Sequence, residues 1–486
     1  MLTSKKTFCS LMLYSLMLLI FNVNIYSISS NPLDGVRIVG TLALIELLSF
    51  IVLNSFINGK IINFATLFMI VLFIFNFGQV VILLFFEGIY SHVRFLLLLT
   101  NAESFYGFKS MNLAFSLLSL GVLVSGIGSI NHEITDKDIS TNKKYDFEKV
   151  FKYVIAFTFP VKAAIDVFCL IVSIVSGASA ARQWLNAFPN VLTDYGRVSV
   201  VAFALLLIIY KNSHKKQKRL FLFIETYILI MMISGIRSEN VVYVLVFFFI
   251  YVFNRKKKVR ILSLIIYGVI AFFALSFVVA SGEFRAVPEK NFFSFMSLLY
   301  KCMTEENVVL SLLDTCGDTG YTAQCVVNKW LPYYGTSNGD AYYLGWTSVI
   351  PNIPGLFTLP GELTRESCFA IKLQEMGALS SSYTNIGGSL IGELFFNFGI
   401  VGGSIAAGLL GFIIGKVSNK STYYMQNNNY AGLIRHIPFM FACTYWIRDY
   451  FGGIFREIVW GPLIIWVIIM VFKPNFLNNK LQKRND

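Results

Sequence analysis

The sequence predicts an all-α polytopic membrane protein of about twelve transmembrane helices, with one large, partly helical external loop between the ninth and tenth spans. Three observations carry this prediction. The chain is 56% hydrophobic and only 14% charged. Its apolar residues come in long runs rather than at amphipathic spacing, and its cations gather in a few short segments between those runs.

A helix near 20 residues long crosses roughly 30 Å of hydrocarbon at about 1.5 Å per residue. Such stretches occur at 8–26, 37–54, 63–86, 111–130, 152–175, 195–210, 220–236, 238–253, 261–281, 398–415, 431–448 and 457–472. The first, preceded by Lys5 and Lys6, reads as a retained helix rather than a cleaved signal peptide, because no small-x-small site follows it. Residues 1–282 thus hold spans one to nine, 283–397 the external loop and 398–486 spans ten to twelve. Lysine and arginine stay on the cytoplasmic side of short loops. KNSHKKQKR (211–219), NRKKKVR (254–260) and the terminal KLQKR therefore face inward, and both chain ends do as well. Residues 131–150, of mixed charge, read as a solvated cytoplasmic connector. The net charge of +13 is a statement about topology and phospholipid contact, not nucleic acid: the cations sit in short loops with no binding motif.

Within the long loop, ENVVLSLLD and ESCFAIKLQEMG read as helical, separated by Gly-, Pro- and Tyr-rich turns. A loop of this length with structure of its own is usually functional. It holds Cys302, Cys316, Cys325 and Cys368. In an oxidising compartment Cys316 is the first choice to pair with Cys325, and free thiols are the alternative. A metal site is not expected, since the loop lacks His and CxxC spacing.

Charges at membrane depth default to functional hypotheses. MMISGIRSEN (231–240) forms the apex of a hairpin of two short helices and carries Arg237 and Glu239. A guanidinium there suits a lipid-borne diphosphate. Equally, Arg237 snorkels to the headgroups and pairs with Glu239. Lys162 and Asp166, spaced i, i+4, read as a structural pair. Arg448, Asp449 and Arg456 share the outer end with Arg237.

The stretch SYTNIGGSLIGELFFNFGIVGGSIAAGLLG (382–411), the GIRSEN apex, the loop segment beginning GDTGYTAQC and the twelve-span layout together resemble the Wzy-type polymerases of O-antigen and capsular polysaccharide. The resemblance implies a glycosyltransferase acting on undecaprenyl-diphosphate-linked oligosaccharide repeat units at the periplasmic face of the bacterial inner membrane, which makes the large loop periplasmic. It also implies a chain-length regulator protein as a partner. Such chemistry needs charge stabilisation on the departing diphosphate and removal of a proton from the attacking hydroxyl. Arginines meet the first requirement without a metal or cofactor: Arg237 first, then Arg285, Arg365 and Arg448. Glu239 and Glu393, the latter inside IGELFFNFG, are the carboxylates offered for the second. Tyr333, Tyr334 and Trp346 are placed to stack on sugar faces, or else to form an interfacial aromatic belt.

The chain departs from some relatives in lacking an Arg-x10-Gly motif: eleven positions past Arg182, Arg285 and Arg365 stand Thr193, Met296 and Met376. The loop also lacks the His expected of O-antigen ligases, which favours polymerase over ligase. A lipid-linked oligosaccharide flippase is the other alternative, but no internal repeat is visible. P-loop, Rossmann and HExxH signatures are missing, which excludes an ATP-driven pump and a zinc protease.

Overall fold

The computed structural model describes residues 31–58, 61–86, 98–126, 145–232, 234, 237–254, 292–304, 307–347, 349–350 and 387–472, together with scattered positions near residues 11–22, 273–287 and 372–373. Every regular element among the described residues is helical. They are α1 (Pro32–Asn58), α2 (Phe64–Phe85), α3 (Asn101–Ser125), α4 (Phe147–Ser176), α5 (Ala178–Ala187), α6 (Asn190–Ile209), α7 (His214–Met232) and α8 (Arg237–Phe253). After these come α9 (Phe292–Thr304), α10 (Val308–Cys325), α11 (Asp340–Thr347), α12 (Leu390–Asn427), α13 (Tyr430–Trp446) and α14 (Phe451–Val471).

Among the described residues, 7 helices are long and apolar enough to cross a membrane: α1 to α4, α6 with its 3-10 extension, α12 and α14. The chain is an integral membrane protein. Of the other predicted spans, α7 opens on HKKQKR and α13 has 17 residues, while the apolar part of α8, Glu239–Phe253, is shorter still. Spans 8–26 and 261–281 lie largely outside the described residues. Two boundaries move for local reasons. The helix predicted at 111–130 starts at Asn101, because Thr100 and Glu103 form a reciprocal capping box. The one predicted at 398–415 starts at Leu390, where the Ser389 side chain accepts the Gly392 N–H at 3.2 Å.

Glycines set how closely the helices approach. Without a strong hydrophobic drive between apolar helices in lipid, small residues that let backbones meet become the glue. On the α3–α12 seam a Cβ at Gly121 would fall 2.0 Å from the Gly408 carbonyl oxygen, and one at Gly411 would fall 2.1 Å from that of Leu118. The contacts of Leu117 with Gly408, Leu118 with Gly411 and Val122 with Gly415 advance together, so the two helices run parallel. Beside this seam α1 and α3 enclose Glu46, whose carboxylate accepts from Ser116 Oγ at 2.7 Å and Asn112 Nδ2 at 3.2 Å. A buried carboxyl group is tolerated at this depth because both oxygens find donors.

The long segment after α8 packs into the bundle more tightly than a loop reading suggests. CGDTGYTAQC is not a turn but the second half of α10. A Cβ at Gly317 would fall 2.8 Å from Gln79 N, and one at Gly320 would fall 2.3 Å from the Asn76 carbonyl oxygen, so α10 lies directly on α2. This overturns the Cys316–Cys325 pairing. Nine residues of helix set the two about 13.5 Å apart along the axis, and a disulfide needs Cα atoms within about 7 Å. Burial pushes the Cys325 thiol up to about 11, so it stays protonated. Cys368 lies outside the described residues.

Candidate active site

Helix direction places the polar residues of the bundle at one end. The starts of α3, α6, α8, α12 and α14 meet the ends of α2, α7 and α13 there, along with α10 and α11. Asn328 Nδ2 donates to the Glu103 carbonyl at 2.9 Å, Leu390 N to the Ile447 carbonyl at 3.4 Å and Trp460 Nε1 to the Val349 carbonyl at 2.9 Å. At the opposite end Lys211 Nζ, beyond α6, bonds the Met425 carbonyl of α12 at 2.5 Å.

The segment GGSLIGELFFNFG organises the polar end. Gly387 and Gly388 lie flat against the turn between α13 and α14. A Cβ on Gly387 would be 2.9 Å from the Arg448 carbonyl oxygen, and one on Gly388 would be 2.5 Å from that of Asp449. Glu393, 1% exposed, accepts from Trp446 Nε1 at 2.6 Å and from the Phe451 N–H at 2.9 and 3.2 Å. Asn397 Oδ1 accepts the Ala341 N–H at 3.3 Å, and Ser337 N donates to the Phe396 carbonyl at 2.9 Å. At Gly399, φ is 71° and the helix breaks. One sequence stretch therefore holds the 446–451 turn on one side and the aromatic segment 330–347 on the other.

Beside it, four helices bring together buried charges. Arg197 of α6 forks onto Glu239 of α8, Nε to Oε1 at 3.1 Å and Nη2 to Oε2 at 3.0 Å. Its Nη1 also lies 3.4 Å from Glu457 and 3.8 Å from Asp194. Arg456 closes on Asp194, and the Tyr243 hydroxyl donates to Glu239. Next to this network Lys162 meets Asp166 at 3.1 Å, as its spacing suggested, and Tyr227 donates to the same carboxylate at 2.6 Å. The planar fork of arginine matches a carboxylate in two bonds, so α6, α8 and α14 are pinned together near the hairpin apex.

These placements revise the sequence-based assignments. Glu239 and Glu393 were offered as proton acceptors, yet both oxygens of each already accept from protein donors. Their geometry is that of an ion-pair partner and of a turn anchor. Glu239 is paired with Arg197, a partner that sequence reading did not name. Arg237 begins α8 at the polar end, with its side chain outside the described residues, where Arg285 and Arg365 also fall. Arg448 is described. Half-buried, its guanidinium stands 5.9 Å from the Phe75 ring, and its Nε lies 3.5 Å from the Cβ position of Gly387. Among the described residues it has no carboxylate within 4 Å. Tyr333 and Trp346 are 78% and 61% exposed, with Tyr334 beside them against Trp330 at 4.9 Å between ring centroids. Trp346 rests on Phe455 at 4.2 Å.

Sequence reasoning missed Arg197, Asp194 and Glu457, and the two carboxylates Asp314 and Asp318 on α10. A signal was available: Asp194/Arg197, Arg237/Glu239 and Arg456/Glu457 each put a cation and a carboxylate within three residues at a helix start. Chemically the end presents a guanidinium with no carboxylate partner among the described residues, beside a helix N-terminus and flanked by exposed aromatic rings. That combination has the chemistry to hold an anionic group linked to a sugar chain. Comparison with curated proteins and with solved structures returns no match. The family model for O-antigen polysaccharide polymerase Wzy, by contrast, matches residues 7–480, and the chain belongs to that family.

Proposed function

We propose that this protein joins oligosaccharide repeat units carried on undecaprenyl diphosphate, with the lipid diphosphate as leaving group, at the periplasmic face of the bacterial inner membrane. The observation that carries the reading is Arg448, seated between Phe75 and the Gly387–Ser389 start of α12. The departing diphosphate gains negative charge as the glycosidic bond breaks. A fixed guanidinium and the N-terminal dipole of α12 stabilise it most in the transition state. Arg237 at the α8 start adds a second cation at the same end, and the sequence offers Arg285 and Arg365 as others. Exposed Tyr333, Tyr334 and Trp346 provide faces for the glycan.

Orientation rests on the charge pattern. The basic stretch 211–219 joins α6 to α7 at the end opposite Arg448, and α8 ends there at Phe253, just before the basic sequence 254–260. With those loops cytoplasmic, the polar end faces the periplasm and both termini lie inside. Twelve spans satisfy this arrangement when 8–26 and 261–281 cross.

Removing the protein from cells is expected to collapse surface glycan to single-repeat length, read on a gel of extracted polysaccharide. Accumulation of lipid-linked units on the cytoplasmic side instead supports a flippase and overturns the assignment.

A further inference from the structure

Glu239 and Glu393 both accept from protein donors, and the described residues offer a further carboxylate that sequence reading passed over. We propose that Asp318 of α10 is the general base that takes the proton of the acceptor sugar hydroxyl; the inference rests on the polymerase reading.

The argument begins with the placement of α10. Residues 314, 318 and 322 follow one another at i, i+4 and form one stripe of the helix. Gly317 and Gly320 bring that helix onto α2, and Gln79 Nε2 reaches across to Asp314 Oδ1 at 3.0 Å and Asp318 Oδ1 at 3.2 Å. Gln79 is 2% exposed and therefore fixed, whereas both aspartates stay partly exposed. A buried amide thus holds two carboxylates at the rim of the bundle, an orientation that packing alone does not give a surface aspartate.

Next comes the relation to Arg448. Thr322, one turn beyond Asp318, donates to the Gly387 carbonyl at 3.2 Å, and the Cβ position of Gly387 lies 3.3 Å from Arg448 Cγ. On the other side Phe75, under the guanidinium, is one turn from Gln79. Asp318 and Arg448 are therefore linked by two independent routes, one through Thr322 and Gly387 and one through Gln79 and Phe75. Both stand where α2, α10 and the start of α12 meet. Displacement at a sugar carbon needs a base and a cation held apart. The attacking oxygen and the departing phosphate oxygen lie on opposite sides of the carbon, so base and cation stand several ångströms apart with the sugar between them. Asp314 is one turn farther from Arg448. Asp449, the other carboxylate beside Arg448, is folded into its own turn and accepts the Tyr450 N–H at 2.9 Å.

The step balances as follows. The acceptor hydroxyl oxygen bonds to the anomeric carbon of the growing glycan while its proton passes to an Asp318 oxygen. The bond from that carbon to the diphosphate oxygen breaks, and the electron pair leaves with undecaprenyl diphosphate. Asp318 then releases its proton to water.

The test uses the full chain in liposomes supplied with lipid-diphosphate-linked repeat units. Asp318→Ala is expected to lower turnover about 10²–10³-fold, within the usual range for a general base. KM for the lipid-linked donor should stay unchanged, and added formate should restore activity at least tenfold. Asp314→Asn is expected to stay within about tenfold of wild type. Full turnover in Asp318→Ala overturns the inference, as does a loss that formate leaves untouched or one that Asp314→Asn reproduces. A wild-type protein that lengthens no glycan overturns the polymerase reading together with it; a wild-type ladder alongside a fully active Asp318→Ala removes the base assignment alone.

Discussion

Replacing Arg448 by glutamine is expected to lower polymer formation by about two to three orders of magnitude, the usual consequence of removing one preorganised donor from a developing oxyanion. The magnitude follows from position. Arg448 is half-buried, rests on an aromatic ring and meets no carboxylate among the described residues, so its charge remains available to a ligand. Glutamine keeps the polar, unbranched stem beside Phe75 and Gly387, so the packing stays intact and the variant should accumulate in the membrane at the wild-type level. Arg448→Lys is expected to retain intermediate activity, because an ammonium keeps the charge but loses the planar fork. The readout is the glycan length ladder from cells carrying each variant, together with initial rates from purified protein. Normal ladder length in Arg448→Gln removes this residue from the diphosphate site.

A second large effect is expected in stability. Arg197 satisfies both oxygens of Glu239 and lies near Glu457 and Asp194. Arg197→Met should destabilise the fold by about 3–5 kcal/mol, since it leaves buried carboxylates uncompensated. The energy lost is chiefly that of stranded charge, not of the pair. The double variant Arg197→Met/Glu239→Met should accordingly be more stable than the single, because a buried ion pair replaced by apolar side chains of similar volume is close to neutral. Thermal unfolding of the purified protein in detergent orders the three chains. If the double falls below the single, the network is held by something other than this pairing.

Much of the fold was legible because membrane helices announce themselves by length and apolarity. The segments corresponding to α1, α2, α4 and α14 were found within a few residues. Caps decided what hydropathy missed. Thr100 and Glu103 begin α3 well before its apolar run, and Ser389 begins α12 inside a stretch that reads as loop. The α10 helix was only half visible because Gly317 and Gly320 are turn signals in isolation. Their reason, contact with Gln79 and Asn76, comes from residues more than 200 positions away. The site divided in the same way. Arg448 and the exposed aromatics are single-residue features that composition and position expose. The pairing of Glu239 with Arg197 and the holding of Asp318 by Gln79 depend on which helices pack together. No local pattern encodes that.

The most direct measurement is reconstitution. Purified protein in liposomes, given repeat units on undecaprenyl diphosphate, should build a ladder of lengthened glycans and release one undecaprenyl diphosphate for each new linkage. Units that cross the bilayer without lengthening, or glycans that lengthen without release of the lipid diphosphate, would contradict the account.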